Sequence, residues 1–258
     1  MAEPVCKVCA DPLRVPVSDD DEPGPSSSSA NTIPDDLLFP CGCHYHWQCA
    51  LDQASHIATH LTCPSCDSHL VSNTPGPSVT NPIYHTSQAA PSILCRYESD
   101  GGVEENYDIL PVLTEEAYLE THPNERRNRA FLTMCGEGDV IGAVELLKDA
   151  ASEGEDVRAI ILYRDSLANG KSALQIALEK QQEEAVWLLL YLGSPRLPIE
   201  AFPDEAIAAA QSMGVDRMPP GGEDIVSLRD EGGRSAEDYA RAVAPVWDRL
   251  VQAGVLRP

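Results

Sequence analysis

The chain has 258 residues, of which 43 % are apolar and 5 % aromatic, and its 41 acidic residues against 18 basic ones give a formal charge of −23. A surface of that sign repels phosphate backbones, which argues against nucleic-acid binding as the main role. No stretch reaches the ~20 consecutive apolar residues of a membrane span, so no membrane partner is expected.

The first residues, "MAEPVCKVC", carry no apolar run behind a basic segment, so no secretory leader is expected. In an intracellular protein, cytoplasmic or nuclear, most thiols stay reduced, and clustered cysteines bind metal more often than they form disulfides. Cys6-x2-Cys9 is followed after 31 residues by Cys41-x-Cys43-x2-His46-x2-Cys49, and after 13 more by Cys63-x2-Cys66. Eight soft donors in four pairs suit two tetrahedral zinc ions with Cys and His ligands. His44 competes with Cys43 for one position, but would leave a single residue before His46. Between the first two pairs, residues 17–33, "VSDDDEPGPSSSSANTI", cannot repay the entropy of ordering and read as a flexible loop. Between the last two, "QCALDQASHIATHL" (48–61) has Leu51, Ala54, Ile57 and Leu61 at helical spacing and predicts one helix. His56, His60 and His69 read as solvated or capping residues, Cys95 and Cys135 as buried thiols outside the pattern.

This order of ligands resembles the RING-type zinc finger over residues 6–66, with "CGCHYHWQC" similar to the family's middle segment and "TCPSC" to its closing Cys-Pro-x-Cys. The resemblance implies a cross-brace: Cys6, Cys9, His46 and Cys49 on one structural zinc ion, Cys41, Cys43, Cys63 and Cys66 on the other. It also implies recruitment of a ubiquitin-conjugating enzyme through the positions of Val8, Leu51 and Pro64. The family's frequent Trp on the central helix is missing. Asp67 stands where many active members place Arg or Lys. A PHD finger has the same order of Cys and His, but it leaves more residues before its histidine and carries a Trp before its last pair, which this chain lacks.

Residues 71–91 have the Pro, Ser, Thr and Asn content of a linker. Residues 92–123 are an unassigned connecting segment in which "ILCRY" and "YDILPVL" read as short strands. Further on, "NGKSALQIALEKQQEEAVWLLLYLGS" (169–194) resembles an ankyrin repeat, with Ser172 at the helix cap and Gly193 at the C-cap. "FLTMCGEGDVIGAVELLKDAA" (131–151) resembles the preceding unit, "GRSAEDYARAVAPVWDRLVQAG" (233–254) a closing one, and residues 198–215 a degenerate fourth. The family's Thr-Pro-Leu-His is Ser-Ala-Leu-Gln here, and the first two units lie about ten residues further apart than one period allows. Trp187, Tyr191 and Leu192 either anchor a partner or pack under the inserted segment 153–165, with packing preferred.

The expected architecture is a small zinc-bound α+β domain over 1–70 followed by an all-α, ankyrin-type helical repeat domain over 124–258. No nucleophile–base pair or phosphate-cradling loop is present in the sequence. Two functions fit: a RING-type ubiquitin ligase whose repeats select a protein substrate, or a non-catalytic zinc-binding scaffold.

Overall fold

The helical repeat domain expected from residue 124 onward begins beside a structural boundary. The computed structural model describes residues 4–16, 32–71, 91–214, 216–219 and 221–257, and these form two units that divide between His122 and Pro123. Of the expected flexible loop 17–33 and linker 71–91, residues 17–31 and 72–90 lie outside the described residues. Among those described, no helix is long and apolar enough to cross a membrane.

Ligand pairs a few residues apart leave room only for short elements in the first unit. β1 (Arg14–Pro16) pairs antiparallel with β2 (Thr32–Pro34), which corrects the end of the loop expected over 17–33: Thr32 and Ile33 are strand residues. β3 (Asp36–Leu38) and β4 (His44–Tyr45) form a hairpin whose turn holds Cys41 and Cys43. Gly42 between them has φ +84°, a left-handed conformation that costs glycine least. The single helix expected over 48–61 is two, α1 (Trp47–Leu51) and α2 (Ala54–His60), broken at Asp52 and Gln53. α1 carries the candidate ligand Cys49 beside the buried Ala50, and α2 carries Ile57 and Ala58 into the same apolar core.

The connecting segment expected over 92–123 belongs to this unit as far as His122. β5 (Leu94–Ser99) pairs with β3, and β6 (Gly102–Asp108) with β5, giving an antiparallel sheet in the order β4-β3-β5-β6. "YDILPVL" is therefore strand only as far as Asp108, and the chain continues as helix α3 (Leu110–Thr121). Asp108 Oδ1 accepts the backbone N–H groups of Ile93 (2.9 Å) and Leu110 (3.2 Å), which ties the start of the hairpin to the helix entry. Pro111 falls in the first turn, where no intrahelical donor is needed.

Leu37, Tyr45, Ile57, Ile93, Ile109 and Leu113 are each 0 % exposed and belong to one cluster. The thiol-bearing turns thus sit on an apolar core to which the segment after residue 92 contributes Ile93, Ile109 and Leu113. Leu113→Ala is expected to destabilise the first unit by about 2–5 kcal/mol through lost transfer energy and a cavity. Its denaturant midpoint, measured with zinc present, should fall accordingly. A shift below ~1 kcal/mol would separate α3 from that core.

In the second unit, apolar stripes recur at helical spacing and give stacked antiparallel helix pairs. α4 (Arg126–Glu137) packs on α5 (Val140–Ser152), and a short helix α6 (Val157–Ile161) fills the expected insertion, burying Ile160 and Ile161. β7 (Arg164–Asp165) and β8 (Lys171–Ser172) form a two-stranded turn that leads into α7 (Ala173–Glu179) and its partner α8 (Glu183–Gly193). The segment 198–215 holds one helix, α9 (Asp204–Met213), which packs on α8, and is not a further helix pair. The last pair is α10 (Ala236–Ala242) and α11 (Asp248–Gln252). Inner helices α4, α7 and α10 pack in series, α7 against both neighbours.

Capping chemistry fixes the register of the stack. Ser172 and Ser235 each close a capping box with the side chain three residues on, Gln175 and Asp238. Gln175 also reaches further, since its Nε2 donates to the carbonyls of Leu228 (3.3 Å) and Arg234 (2.9 Å) in the loop before α10. A glutamine can accept at the cap and donate across to the next turn at once. Trp187 and Tyr191 are half-buried and Leu192 is buried, so packing is what the structure shows: both rings lie against Phe202, at 6.0 and 5.8 Å between ring centroids, and α6 of the inserted segment also packs on α8.

Candidate metal centres

The four ligand pairs of the sequence converge into two groups. Cys6, Cys9, His46 and Cys49 form one, and Cys41, Cys43, Cys63 and Cys66 the other, with the donor atoms of each group within 4.8 Å of one another. A tetrahedral zinc ion with bonds of about 2.3 Å needs sulfurs about 3.8 Å apart, so little adjustment separates these donors from a closed coordination shell. Pairs one and three share a centre, as do pairs two and four. Each group can therefore hold a metal ion, and three or four thiols with at most one imidazole are a donor set consistent with zinc.

Both Cys-x2-Cys turns are built on the same backbone frame. In the first, Ala10 N–H donates to Cys6 O (3.0 Å) and Cys6 N–H to Asp11 O (3.0 Å). In the second, Asp67 N–H donates to Cys63 O (2.9 Å) and Cys63 N–H to Ser68 O (2.9 Å). Antiparallel bridges flank each turn at the same offsets, Val5 with Pro12 and Thr62 with His69. The residue after each second cysteine is left-handed, Ala10 at φ +65° and Asp67 at φ +55°. Bending the chain this sharply aims two sulfurs at one point. The third pair uses a helix instead: His46 is the N-cap residue of α1 and Cys49 lies one turn on.

Neighbouring groups orient the donors. His46 Nε2 lies 2.9 Å from Pro12 O, so the ring donates there and leaves the Nδ1 lone pair toward Cys9 Sγ at 3.3 Å and Cys49 Sγ at 3.9 Å. His44 belongs to neither group, its Nδ1 lying 2.7 Å from Asp36 Oδ1, whereas Cys43 stands among the donors of the second. The buried Tyr45 hydroxyl lies 3.0 Å from Cys63 Sγ, where it can donate to a thiolate. Cys95 and Cys135 are buried outside the groups, and burial pushes both thiols up to about 12. His56 and His60 stack on each other on α2, also outside.

The thiols differ in how readily they ionise. Hydrogen bonding with the side chain and backbone of Ser68 holds Cys66 down to about 6. Burial raises Cys6, but the N–H groups of Cys9, His46 and Val8 outweigh it and bring the thiol to about 7. Burial pushes Cys41 and Cys49 up to about 12, helped by neighbouring sulfurs. A dication placed among them removes the mutual repulsion and expels the remaining protons, so metal affinity falls as pH falls.

The interleaving makes ligand identity testable. Cys43→Ser should lose about one of two bound zinc equivalents, whereas His44→Ala should keep both, as read by metal analysis of the purified chain. One equivalent in the unaltered protein, or loss from His44→Ala, would overturn the assignment.

The three residues that the RING likeness marks for partner binding lie around these centres. Val8 is 46 % exposed within the first turn. Pro64, in the second, is half-buried. Leu51 ends α1 and is half-buried against the apolar core, so part of its surface is committed to packing. No protein family matches the chain, and neither curated proteins nor solved structures return a match. The functional reading therefore rests on the residues and their geometry. The sharing of one backbone frame by the two Cys-x2-Cys turns was not found from the sequence, although equal spacing to Pro12 and His69 was a usable signal.

Proposed function

We propose that the protein is a RING-type ubiquitin ligase, intracellular, with two structural zinc ions and a stack of ankyrin-like repeats that selects a protein substrate. The observation that carries this reading is the interleaving of ligand pairs, one with three and two with four, which the RING likeness requires. In this reading Val8, Leu51 and Pro64 receive a ubiquitin-conjugating enzyme. The zinc ions are four-coordinate and closed, so they shape the surface and activate no water. No side chain of this chain forms a covalent intermediate; the conjugating enzyme's thioester supplies the reacting carbonyl.

A specific residue favours the second reading, a non-catalytic scaffold. Asp67 follows the last ligand as an exposed carboxylate, where the likeness calls for a cation. The test is discharge of ubiquitin from a panel of charged conjugating enzymes by the zinc-loaded chain. Val8→Ala and Leu51→Ala should lower the discharge rate while both zinc equivalents stay bound. Discharge by no enzyme of the panel would leave the scaffold, and zinc loss in Val8→Ala would make that side chain structural.

A further inference from the structure

α9 turns alanines toward the stack, and that leaves a space. Phe202 lies against the rings of Trp187 and Tyr191 and takes up the room between the start of α9 and the middle of α8. Beyond that wedge Ala206, Ala209 and Ala210 face the first half of α8 without filling the gap. The result is a trough of about 550 Å³ bounded by α8, α9 and the α4–α5 turn. Val140, Ala185, Trp187 and Leu188 give it an apolar lining. Gln182 closes one end, its Nε2 donating to Gly136 O at 3.2 Å. Its volume lies within the roughly 300–1,000 Å³ of ordinary binding sites.

Two features say what fits. Glu183 and Glu184 stand exposed on the first turn of α8, and among the described residues none that lines the trough is basic. Ile141, the residue after the lining Val140 on α5, is 68 % exposed. An apolar slot with an acidic rim complements an amphipathic segment with basic flanks.

We propose that this trough docks a basic amphipathic helix of a partner protein, one large apolar side chain entering between α8 and α9 and its lysines or arginines meeting Glu183 and Glu184. The proposal rests on reading the second unit as the recognition half of the molecule, and it names the surface and the chemistry of the partner. It does not depend on the first unit being a ligase.

The probe is a fluorescein-labelled helix of about 18 residues, long enough to be helical alone, with leucine on one face and lysine on the other. Its control has glutamate at every lysine. Fluorescence anisotropy with the full zinc-loaded chain should show saturable binding of the lysine helix and none of the glutamate helix. Ala209→Trp, an exposed position on the trough wall, should weaken binding at least about tenfold by filling the slot. Glu183→Lys with Glu184→Lys should weaken it comparably, and circular dichroism should show both variants folded. If the charge variant weakens binding but Ala209→Trp does not, attraction is to net charge alone and the proposal fails. It fails equally if the glutamate helix binds as well, or if the lysine helix shows no saturable binding. Ubiquitin discharge, measured on the same proteins, separates this outcome from the ligase reading: a silent first unit with helix binding lost in Ala209→Trp leaves the trough standing.

Discussion

Stripping zinc from the protein is expected to unfold the thiol-bearing part of the first unit and to leave the second unit folded. Structural zinc binding supplies about 10–16 kcal/mol in small zinc modules, against about 5–15 kcal/mol for the whole stability of a typical domain. With zinc in both candidate centres, its removal outweighs what the sheet and α3 can hold, even though Leu37, Tyr45 and Leu113 are fully buried there. The crowded sulfurs of each centre would also be left to share protons among themselves. The second unit has its own apolar cluster, including Phe131, Leu147, Leu174, Leu189 and Trp247, and among the described residues neither candidate metal group lies in it. A fragment of residues 123–258 should keep a helical circular dichroism spectrum and a cooperative thermal transition in a chelator. In the full chain, near-ultraviolet signal from Trp47, beside Tyr97 and Tyr107, should be lost on chelation. A random-coil fragment would mean that the second unit cannot stand alone. An unchanged near-ultraviolet spectrum would mean that the apolar core, not metal, holds the first.

The ligands were legible because metal chemistry is local and restrictive. Few residue types bind zinc, and a Cys-x2-Cys turn fixes the spacing within each pair. Which pair joins which was implied only by resemblance, and it required the folded backbone to see. "ILCRY" was legible as a strand, but its pairing with β3 and the helix α3 were not, for a different reason. β5 pairs with β3 across a separation that includes the whole second half of the thiol region, and no local pattern announces such a partner. α3 buries Leu110, Leu113, Thr114 and Ala117 at helical spacing, but two of those four are weakly apolar, and Pro111 reads as a breaker unless it is placed in the first turn. Residues 198–215 erred the other way. Alanines at helical spacing looked like one more helix pair, whereas they form one helix that covers the aromatic face of α8 only in part. The Ser-Ala-Leu-Gln departure, a weakness in the sequence, has a physical account in Gln175, whose amide serves two loops.

Asp67→Arg is expected to raise the rate of ubiquitin discharge, on the ligase reading, by roughly 10- to 100-fold. In that likeness a cation after the last ligand bridges carbonyl groups of ubiquitin and the conjugating enzyme. An ionised aspartate has acceptors only and would meet those carbonyls with like partial charge. A hydrogen bond to a charged group contributes about 1.5–3 kcal/mol, and each ~1.4 kcal/mol is tenfold in rate. The substitution has a cost, because this residue is left-handed at φ +55°. Aspartate tolerates that region better than arginine, and the added strain is of the order of 1 kcal/mol. The strain falls on folding stability, where zinc supplies far more, and not on the bound complex. The exposed position and the backbone bond from Asp67 N–H to Cys63 O, 2.9 Å long, leave room for a longer side chain without disturbing the turn. Zinc content should therefore stay at two equivalents while discharge accelerates. Single-turnover discharge with a charged conjugating enzyme reads the effect directly. A fast unaltered protein that Asp67→Arg leaves unchanged would mean that another group closes the conjugate. If neither form discharges ubiquitin, the missing cation is not the obstacle, and the first unit binds partners without catalysing transfer.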